Sequence, residues 1–201
     1  SRPSRRRPRP APGCCGRLSS MDAADVDADL VNILFTEEDI TKKLDELARR
    51  IEQDYAGEDL LIVGVLRGAV MVMADLARAF NRHVEMDWMA VSSYGSGTKS
   101  SGVVRILKDL DINIEGRHVL VVEDILDTGL TLTYLTKVLL AHQPKALRVA
   151  TLLDKPSRRK QPMEANYVGF RIPDEFVVGY GLDYAERYRN LPDICVLPRQ
   201  A

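Results

Sequence analysis

The chain is poor in cysteine, in excess charge and in long apolar runs, and each shortage excludes a class of protein. Of its three cysteines, Cys14 and Cys15 are adjacent and Cys195 lies in a short apolar run. They form neither a disulfide framework nor a metal-ligand spacing, which suits the reducing cytoplasm. A formal net charge of -1 argues against a general nucleic-acid or membrane-surface binder. No apolar run approaches the length of a membrane span.

What is present is typical of one domain with a basic tail. The 201 residues are 45% hydrophobic, enough to bury a substantial core. Residues 1–20 differ, with six arginines, four prolines and no acid, so we expect them to be a disordered extension ahead of a natural start at Met21. A targeting signal or a nucleic-acid arm is the alternative, although a secretory signal would need an apolar segment. Residues 21–201 are then expected to form the single domain.

The stretch 119–142 has the order strand, acid pair, glycine turn and helix. Four apolar residues at 119–122 predict a strand buried on both faces of a parallel sheet. Glu123 and Asp124 follow where that strand is expected to end. The loop 127–131 then leads into a helix that must stop before Pro144. The apolar positions of this helix, which share one face, are Leu132, Leu135, Val138 and Leu139. Ligands bind outside the carboxyl ends of strands in open α/β sheets, so the loop is a candidate site.

The chemistry of this loop fits a phosphorylated sugar. Amides at a helix start lack partners and carry the positive end of the helix dipole, which favours phosphate. Thr128 and Thr131 add hydroxyl groups, and Gly129 lets the main chain approach an anion. Glu123 and Asp124 would repel phosphate, and they suit ribose hydroxyls or a divalent metal shared with the ligand. For any single acid an ordinary helix cap is the simpler interpretation, but the whole string is harder to attribute to chance.

A second junction of the same kind lies earlier in the chain. A strand at Leu60–Leu66 is followed by Arg67-Gly68 and by a helix predicted over about 69–80. This junction can present a second set of amides to a second anion. One ligand with two phosphate groups would use both junctions.

The other elements are predicted from simpler patterns. Residues 21–35 are acidic and expected to be loosely ordered, and Thr36 to Asp39 resembles a capping box. The following helical positions expected in the core are Ile40, Leu44, Leu47 and Ile51. Further strands are predicted at 84–91, 103–107, 147–153, 167–170 and 176–178. The Ser- and Gly-rich segment 92–102 is either a lid or a flexible hairpin connection.

Several of these strings together resemble the type I phosphoribosyltransferases. VVEDILDTGLT is similar to the phosphoribosyl-diphosphate motif of that family. The strings similar to its hypoxanthine-guanine branch are GVLRGA, SSYG, LLDKP and FVVGYGLDYAERYRNL, in this order. The resemblance covers residues 36–197. It implies an α/β fold with a mainly parallel twisted sheet flanked by helices, and a small cap, or hood, of chain-terminal segments that carries the base contacts.

The resemblance also implies an activity and a set of site residues. The activity is transfer of phosphoribose from 5-phosphoribosyl 1-diphosphate to hypoxanthine or guanine with Mg2+, a step of purine salvage. Asp127 would exchange a proton with N7 of the base, and Ser93 and Tyr94 would belong to a catalytic lid. The implied metal ligands are Asp183, Glu123 and Asp124. The implied substrate contacts are Arg67, Gly68, Glu123, Asp124, Thr128, Gly129, Leu130, Thr131, Lys155, Phe176, Val177 and Arg189.

Some of these roles have plainer alternatives in the residue pattern. Lys155, implied to face the purine 6-oxo group, would otherwise be a solvated lysine past a strand end. Phe176, implied to stack on the base, would otherwise fill the core. Asp183 could be an ordinary surface acid, and 157–161 is most simply an exposed loop. Arg67 stands where a lysine is common in the family, which keeps the charge but changes the contact.

The implied partners are small-molecule substrates, with neither nucleic acid nor membrane, and a second or fourth copy of the chain in a homodimer or homotetramer. Two rival interpretations belong to other classes. One is an enzyme of the same superfamily that uses xanthine or adenine. The other is a phosphoribosyl-diphosphate sensor that binds nucleic acid without catalysis, which would be expected to carry a basic face or a DNA-binding domain.

Overall fold

The computed structural model describes residues 32–93 and 104–198. Three helices in these ranges are α1 (Glu37–Asp54), α2 (Val70–Ala79) and α3 (Leu130–Ala141). The strands are β1 (Asn32–Phe35), β2 (Leu60–Leu66), β3 (Glu85–Ser93), β4 (Val104–Lys108), β5 (His118–Leu126), β6 (Ala146–Asp154), β7 (Tyr167–Arg171), β8 (Val177–Val178) and β9 (Ile194–Val196). A short 3-10 turn, Pro156–Arg158, follows β6.

Six strands form the main sheet in the order β4-β3-β2-β5-β6-β7. Every neighbouring pair is parallel except β3 with β4. The mainly parallel sheet expected from the sequence is therefore confirmed. Its central strands β2 and β5 place both predicted phosphate-binding junctions at the same carboxyl edge.

The apolar strands are buried because successive side chains enter two different cores. In β2, Leu60 and Ile62 pack with α1 and α2, whereas Leu61 and Val63 pack with α3. The helical faces agree with the sequence. The predicted core positions Ile40, Leu44, Leu47 and Ile51 of α1 are buried, as are Leu132, Leu135 and Leu139 of α3, with Val138 half-buried. Helix α3 ends before Pro144, as expected.

The second sheet is the cap, with the strand order β1-β9-β8. It joins chain-terminal segments, as the resemblance implied. The expectation that residues 21–35 are loosely ordered is wrong for Asn32–Phe35, which pair antiparallel with Ile194–Val196. No local pattern reveals so short a strand, because its partner comes from the other end of the domain. Cys195 is buried in β9 without a disulfide.

Strand β5 is longer than predicted. Its pairing with β2 ends at Gly64 and Val122, but its pairing with β6 continues from Glu123 with Thr151 to Leu126 with Asp154. Glu123 and Asp124 therefore lie inside the strand and not beyond its end. Along this stretch β5 still pairs with β6 on one side but no longer pairs with β2 on the other. In the described part of the chain, no helix has the length and apolar character needed to cross a membrane.

Helix α1 begins with the predicted capping box. The Thr36 hydroxyl accepts a hydrogen bond from the Asp39 amide at 3.2 Å, and the Thr36 amide donates to the Asp39 carboxylate at 3.1 Å. Thr36→Ala should therefore lower the free energy of unfolding by about 1 kcal/mol in urea titrations. Thr36→Ser keeps the hydroxyl and should stay close to the native value. Equal losses in the two variants would show that the hydroxyl does not stabilise the helix.

Candidate active site

Strand β5 and the predicted phosphate-binding junction after β2 meet at Gly68. A β-carbon built on Gly68 would lie 1.7 Å from Asp124 Oδ2, so any side chain there would displace the acid. On the other side, a β-carbon on Gly181, where φ is +96°, would lie 2.1 Å from the Gly68 carbonyl oxygen. The peptide bond between Leu66 and Arg67 is cis. Three segments from distant parts of the sequence thus touch at one glycine.

The acid pair lies in a poorly hydrated position at the centre of this edge. Burial raises the pKa of Glu123 well above its usual value, and the charges of Asp124 and Asp127 raise it further. Burial also raises the pKa of Asp124 to about 6, against the opposing effects of the Ile125 amide, which donates to it at 2.7 Å, and of the Arg189 charge. The carboxyl oxygens of Glu123 and Asp124 can accept hydrogen bonds from sugar hydroxyls.

The loop after β5 turns into α3 through Gly129. This residue has a φ of +77° and is the N-cap of α3, which has no side-chain cap. The first amides of the helix therefore lack intrahelical partners, as predicted for an anion site. The Thr128 hydroxyl accepts a long hydrogen bond, 3.4 Å, from the Leu130 amide, and the Asp127 carboxylate accepts one from the Thr128 amide. Thr131 lies in the first turn of α3.

A group of residues implied to contact the base comes together beside this loop. Lys155 is buried and not solvated: its ammonium donates to the Glu175 carbonyl at 2.5 Å, and its amide donates to the Leu126 carbonyl at 2.9 Å. Phe176, next to Glu175, is 38% exposed, so the core interpretation of this ring is wrong. Its edge contacts the Tyr184 ring, with centroids 5.7 Å apart. Val177 is buried in β8.

A second group, made of charged side chains, lies around Gly68. Arg189 pairs with Asp183 at 2.7 Å and donates to the Gly181 carbonyl at 2.7 Å. The implied metal ligand and an implied diphosphate contact are thus bound to each other. Arg67 joins the group through Glu186, at 2.9 Å. An arriving diphosphate would compete with these carboxylates for both guanidinium groups.

Two implied site residues are not described. Ser93 is the last residue of β3, and its side chain lies outside the described part of the structure. Tyr94 and the segment 94–103 lie outside the described residues. The described ranges contain no group of three or more His, Cys, Asp or Glu side chains that could hold a metal ion. A metal at this edge would therefore depend on oxygens of the ligand as well as those of the protein.

One contributor to the site was missed by sequence reasoning. The expectation that 157–161 is an exposed loop is wrong for Arg159, whose side chain is 17% exposed. It donates to the carbonyls of Leu126 and Asp127 and pairs with Asp154. Nothing in the spacing distinguishes Arg159 from its basic neighbours Arg158 and Lys160, so no sequence signal could have identified it.

The carboxyl edge of this sheet joins the first amides of a helix, a pair of acids and two guanidinium groups, the chemistry of an enzyme that handles a phosphorylated sugar. Comparison with known proteins identifies the enzyme class. A model of the phosphoribosyl transferase domain matches residues 31–185, most of the chain, and the chain belongs to this family.

Individual relatives narrow the similarity to one branch. The chain is 53% identical over 169 residues to a hypoxanthine-guanine phosphoribosyltransferase of Bacillus subtilis, covering 84% of this chain and 94% of that protein. It is 51% identical over 175 residues to the enzyme of the same name from Streptococcus thermophilus, covering 87% and 97%. The solved structure of a hypoxanthine phosphoribosyltransferase from Staphylococcus aureus superposes with a TM-score of 0.82 at 51% identity, covering 85% of this chain and 93% of that one.

The raised pKa of Asp124 makes stability depend on pH. The folded protein holds this proton more tightly than the unfolded chain, whose carboxyl has the ordinary value of 3.8. Stability present below pH 3.8 is therefore lost as the pH rises toward 6. Asp124→Asn keeps the shape and the acceptor for the Ile125 amide but cannot ionise.

The ligand-free Asp124→Asn protein should consequently melt a few degrees above the native protein at pH 7.5, since 1 kcal/mol corresponds to about 2–4 °C at this size. The gap should narrow at pH 5. Differential scanning calorimetry at both pH values measures this difference in melting temperature. A difference that is absent or independent of pH would contradict the raised pKa of Asp124.

Proposed function

We propose that this chain transfers the phosphoribosyl group of 5-phosphoribosyl 1-diphosphate to hypoxanthine or guanine, giving inosine or guanosine monophosphate and diphosphate. The observation that carries the proposal is the position of Lys155. Its buried ammonium bonds to the carbonyl of Glu175, the residue before the exposed Phe176, and its amide bonds to the strand end that leads into the Asp127 loop. Lys155, which could donate a hydrogen bond to a flat base, is thus held against the loop that we propose binds the sugar phosphate. The relatives that share about half of this sequence carry the name of the same activity.

The substrate parts can be assigned to the two groups of residues. The 5-phosphate would bind the amides of residues 129–131, with the hydroxyls of Thr128 and Thr131. The ribose hydroxyls would meet Glu123 and Asp124. The diphosphate would bind the Arg67-Gly68 turn and Arg189, replacing the carboxylates that these guanidinium groups contact in the free protein.

Reaction requires a new bond from N9 of the base to the anomeric carbon while the bond from that carbon to the diphosphate oxygen breaks. Positive charge grows on the ribose ring, and Asp124, which is ionised above its raised pKa of about 6, would stabilise that charge. The base must also lose a proton. Asp127, whose carboxylate is held by the Thr128 amide, would accept it from N7. Ser93 and Tyr94, by resemblance, would close over the site and exclude water that could capture the sugar.

A divalent cation, which we propose to be Mg2+, fits the donor set at Asp183. This carboxylate is hard and partly exposed, and each oxygen is used once, by Arg189 and by the Glu186 amide at 2.9 Å. Each oxygen therefore keeps a lone pair for a metal. Bound Mg2+ would neutralise charge on the departing diphosphate. Glu123 and Asp124 would act on the ribose side. We further propose a cytoplasmic homodimer or homotetramer, as the resemblance implies.

The role of Asp127 can be separated from binding. Asp127→Asn keeps the size of the side chain and an oxygen for the Thr128 amide but cannot exchange a proton. Turnover should fall by about 10²- to 10⁴-fold, the usual contribution of acid-base catalysis, while the Kd for phosphoribosyl diphosphate changes little. Steady-state rates and calorimetric titration measure the two quantities. A nearly native rate would assign the proton transfer to another group.

The base specificity tests the function itself. An ammonium can donate to the 6-oxo group of hypoxanthine or guanine but faces another donor in adenine, and a site built for such a bond rejects its analogue strongly. With phosphoribosyl diphosphate and Mg2+, the native protein should use hypoxanthine and guanine and leave adenine almost untouched. Lys155→Met should lose most of kcat/KM for hypoxanthine and guanine. The ratio of these values to kcat/KM for adenine should therefore fall.

Lys145→Met, which removes a lysine that pairs with Glu58 at the surface, is the matched control and should behave as the native protein. Efficient turnover of adenine by the native protein would overturn the proposed function. Unchanged specificity in Lys155→Met would remove Lys155 from base recognition while leaving the reaction assigned.

A further inference from the structure

We infer that Arg159 is a positioning residue: it fixes the peptide plane that orients the Asp127 carboxylate, and so acts on the chemistry without touching substrate. The inference rests on the proposed function for its kinetic consequence, but its structural part stands on contacts of the free protein.

The guanidinium of Arg159 lies between a strand end and the Asp127 loop. One of its terminal nitrogens donates to the Leu126 carbonyl at 2.9 Å and to the Asp127 carbonyl at 2.5 Å. The other bonds to the carboxylate of Asp154, a buried residue at the end of β6. Asp154 is itself anchored in the sheet, because its carbonyl accepts the Ile172 amide at 2.9 Å. A planar fork with fixed geometry therefore ties the loop to a rigid strand.

The residues after Arg159 hold the next carbonyl in the same way. The amides of Lys160 and Gln161 both donate to the Thr128 carbonyl, at 2.9 and 3.2 Å. We call residues 159–161 the brace. The carbonyls of three successive loop residues, 126–128, thus all bond to the brace. A β-carbon on Gly129 would lie only 3.3 Å from Arg159 Cδ and from the Gln161 carbonyl, which shows how closely brace and loop are packed.

The orientation of these carbonyls decides where the amides point. In a trans peptide the C=O and N–H bonds point to opposite sides of the chain. When the Asp127 carbonyl is turned toward Arg159, the Thr128 amide of the same peptide must point away from the brace. That amide is the donor that holds the Asp127 carboxylate. The path from Arg159 to Asp127 therefore runs through a single peptide plane.

The adjacent arginine provides a matched control. Arg158 is 46% exposed and pairs with Asp174 at 3.6 Å, away from the loop. Arg158→Lys and Arg159→Lys are the same chemical change at neighbouring positions. Lysine at 159 keeps a positive charge opposite Asp154, so the variant should fold, but an ammonium cannot reproduce the three bonds of the fork.

We expect Arg159→Lys to lower kcat by about 10- to 100-fold, the cost of a small misplacement of a reacting group, and to change KM for hypoxanthine far less. Arg158→Lys should match the native protein in both kcat and KM. For Arg159→Ala, millimolar guanidinium ion should restore part of the lost kcat.

A readout independent of activity completes the test. In amide NMR spectra of the ligand-free protein, the Thr128 resonance should shift in Arg159→Lys and stay unchanged in Arg158→Lys. A native kcat and a native Thr128 resonance in Arg159→Lys would overturn the inference. So would a loss of kcat that follows a fall in melting temperature, without rescue by guanidinium ion. Absence of turnover in the native protein would refute the proposed function alone, and the Thr128 resonance would still decide whether Arg159 positions the loop.

Discussion

The site depends on one constraint: the space at Gly68 is too small for even a methyl group. Because Gly68 has no side chain, the Asp124 carboxylate can approach the turn after β2, and the 179–181 segment can pack on the turn from the other side. This contact brings Asp124 of β5 close to the segments that carry Arg67 and Arg189. A bulkier residue at position 68 would push these segments apart.

Around this contact the acidic side chain of Glu123 at the centre is more deeply buried than the arginines at the rim. Glu123 at the centre is buried, Asp124 beside it is half-buried, and loss of hydration raises the pKa of both, whereas Arg67 and Arg189 pair with carboxylates that remain more exposed. A substrate with a neutral sugar at its centre and anions at its ends matches that order. Arg67 pairs with Glu186 and Arg189 pairs with Asp183, so the binding of an anion would exchange one ion pair for another.

The sequence predicted what depends on local periodicity. Strands β2, β5 and β6, the capping box at Thr36 and the buried faces of α1 and α3 all follow from patterns within a single element. It did not predict what depends on distant partners. The length of β5 was underestimated because its last residues pair with β6 alone, and β1 was missed because its partner is β9.

The candidate site divides in the same way. The Asp127 loop could be recognised from its residues, since helix starts with glycine and hydroxyls have a common chemistry. The burial of Lys155 and the exposure of Phe176 could not, because both follow from the fit of the cap against the sheet. No sequence pattern pointed to Arg159. Its side chain bonds to main-chain carbonyls, and every residue has a main-chain carbonyl.

The composition of the cap has a consequence for the order of synthesis. Strand β1 leaves the ribosome early, but its strand partner in the described part of the chain, β9, lies near residue 195, and Asp193, which accepts the Glu37 amide at 2.8 Å, lies beside it. The described strands of the main sheet all precede β8, whereas β1 must wait until β9 has been made. A nascent chain can therefore assemble the sheet that carries the Asp127 loop before it can form the second sheet.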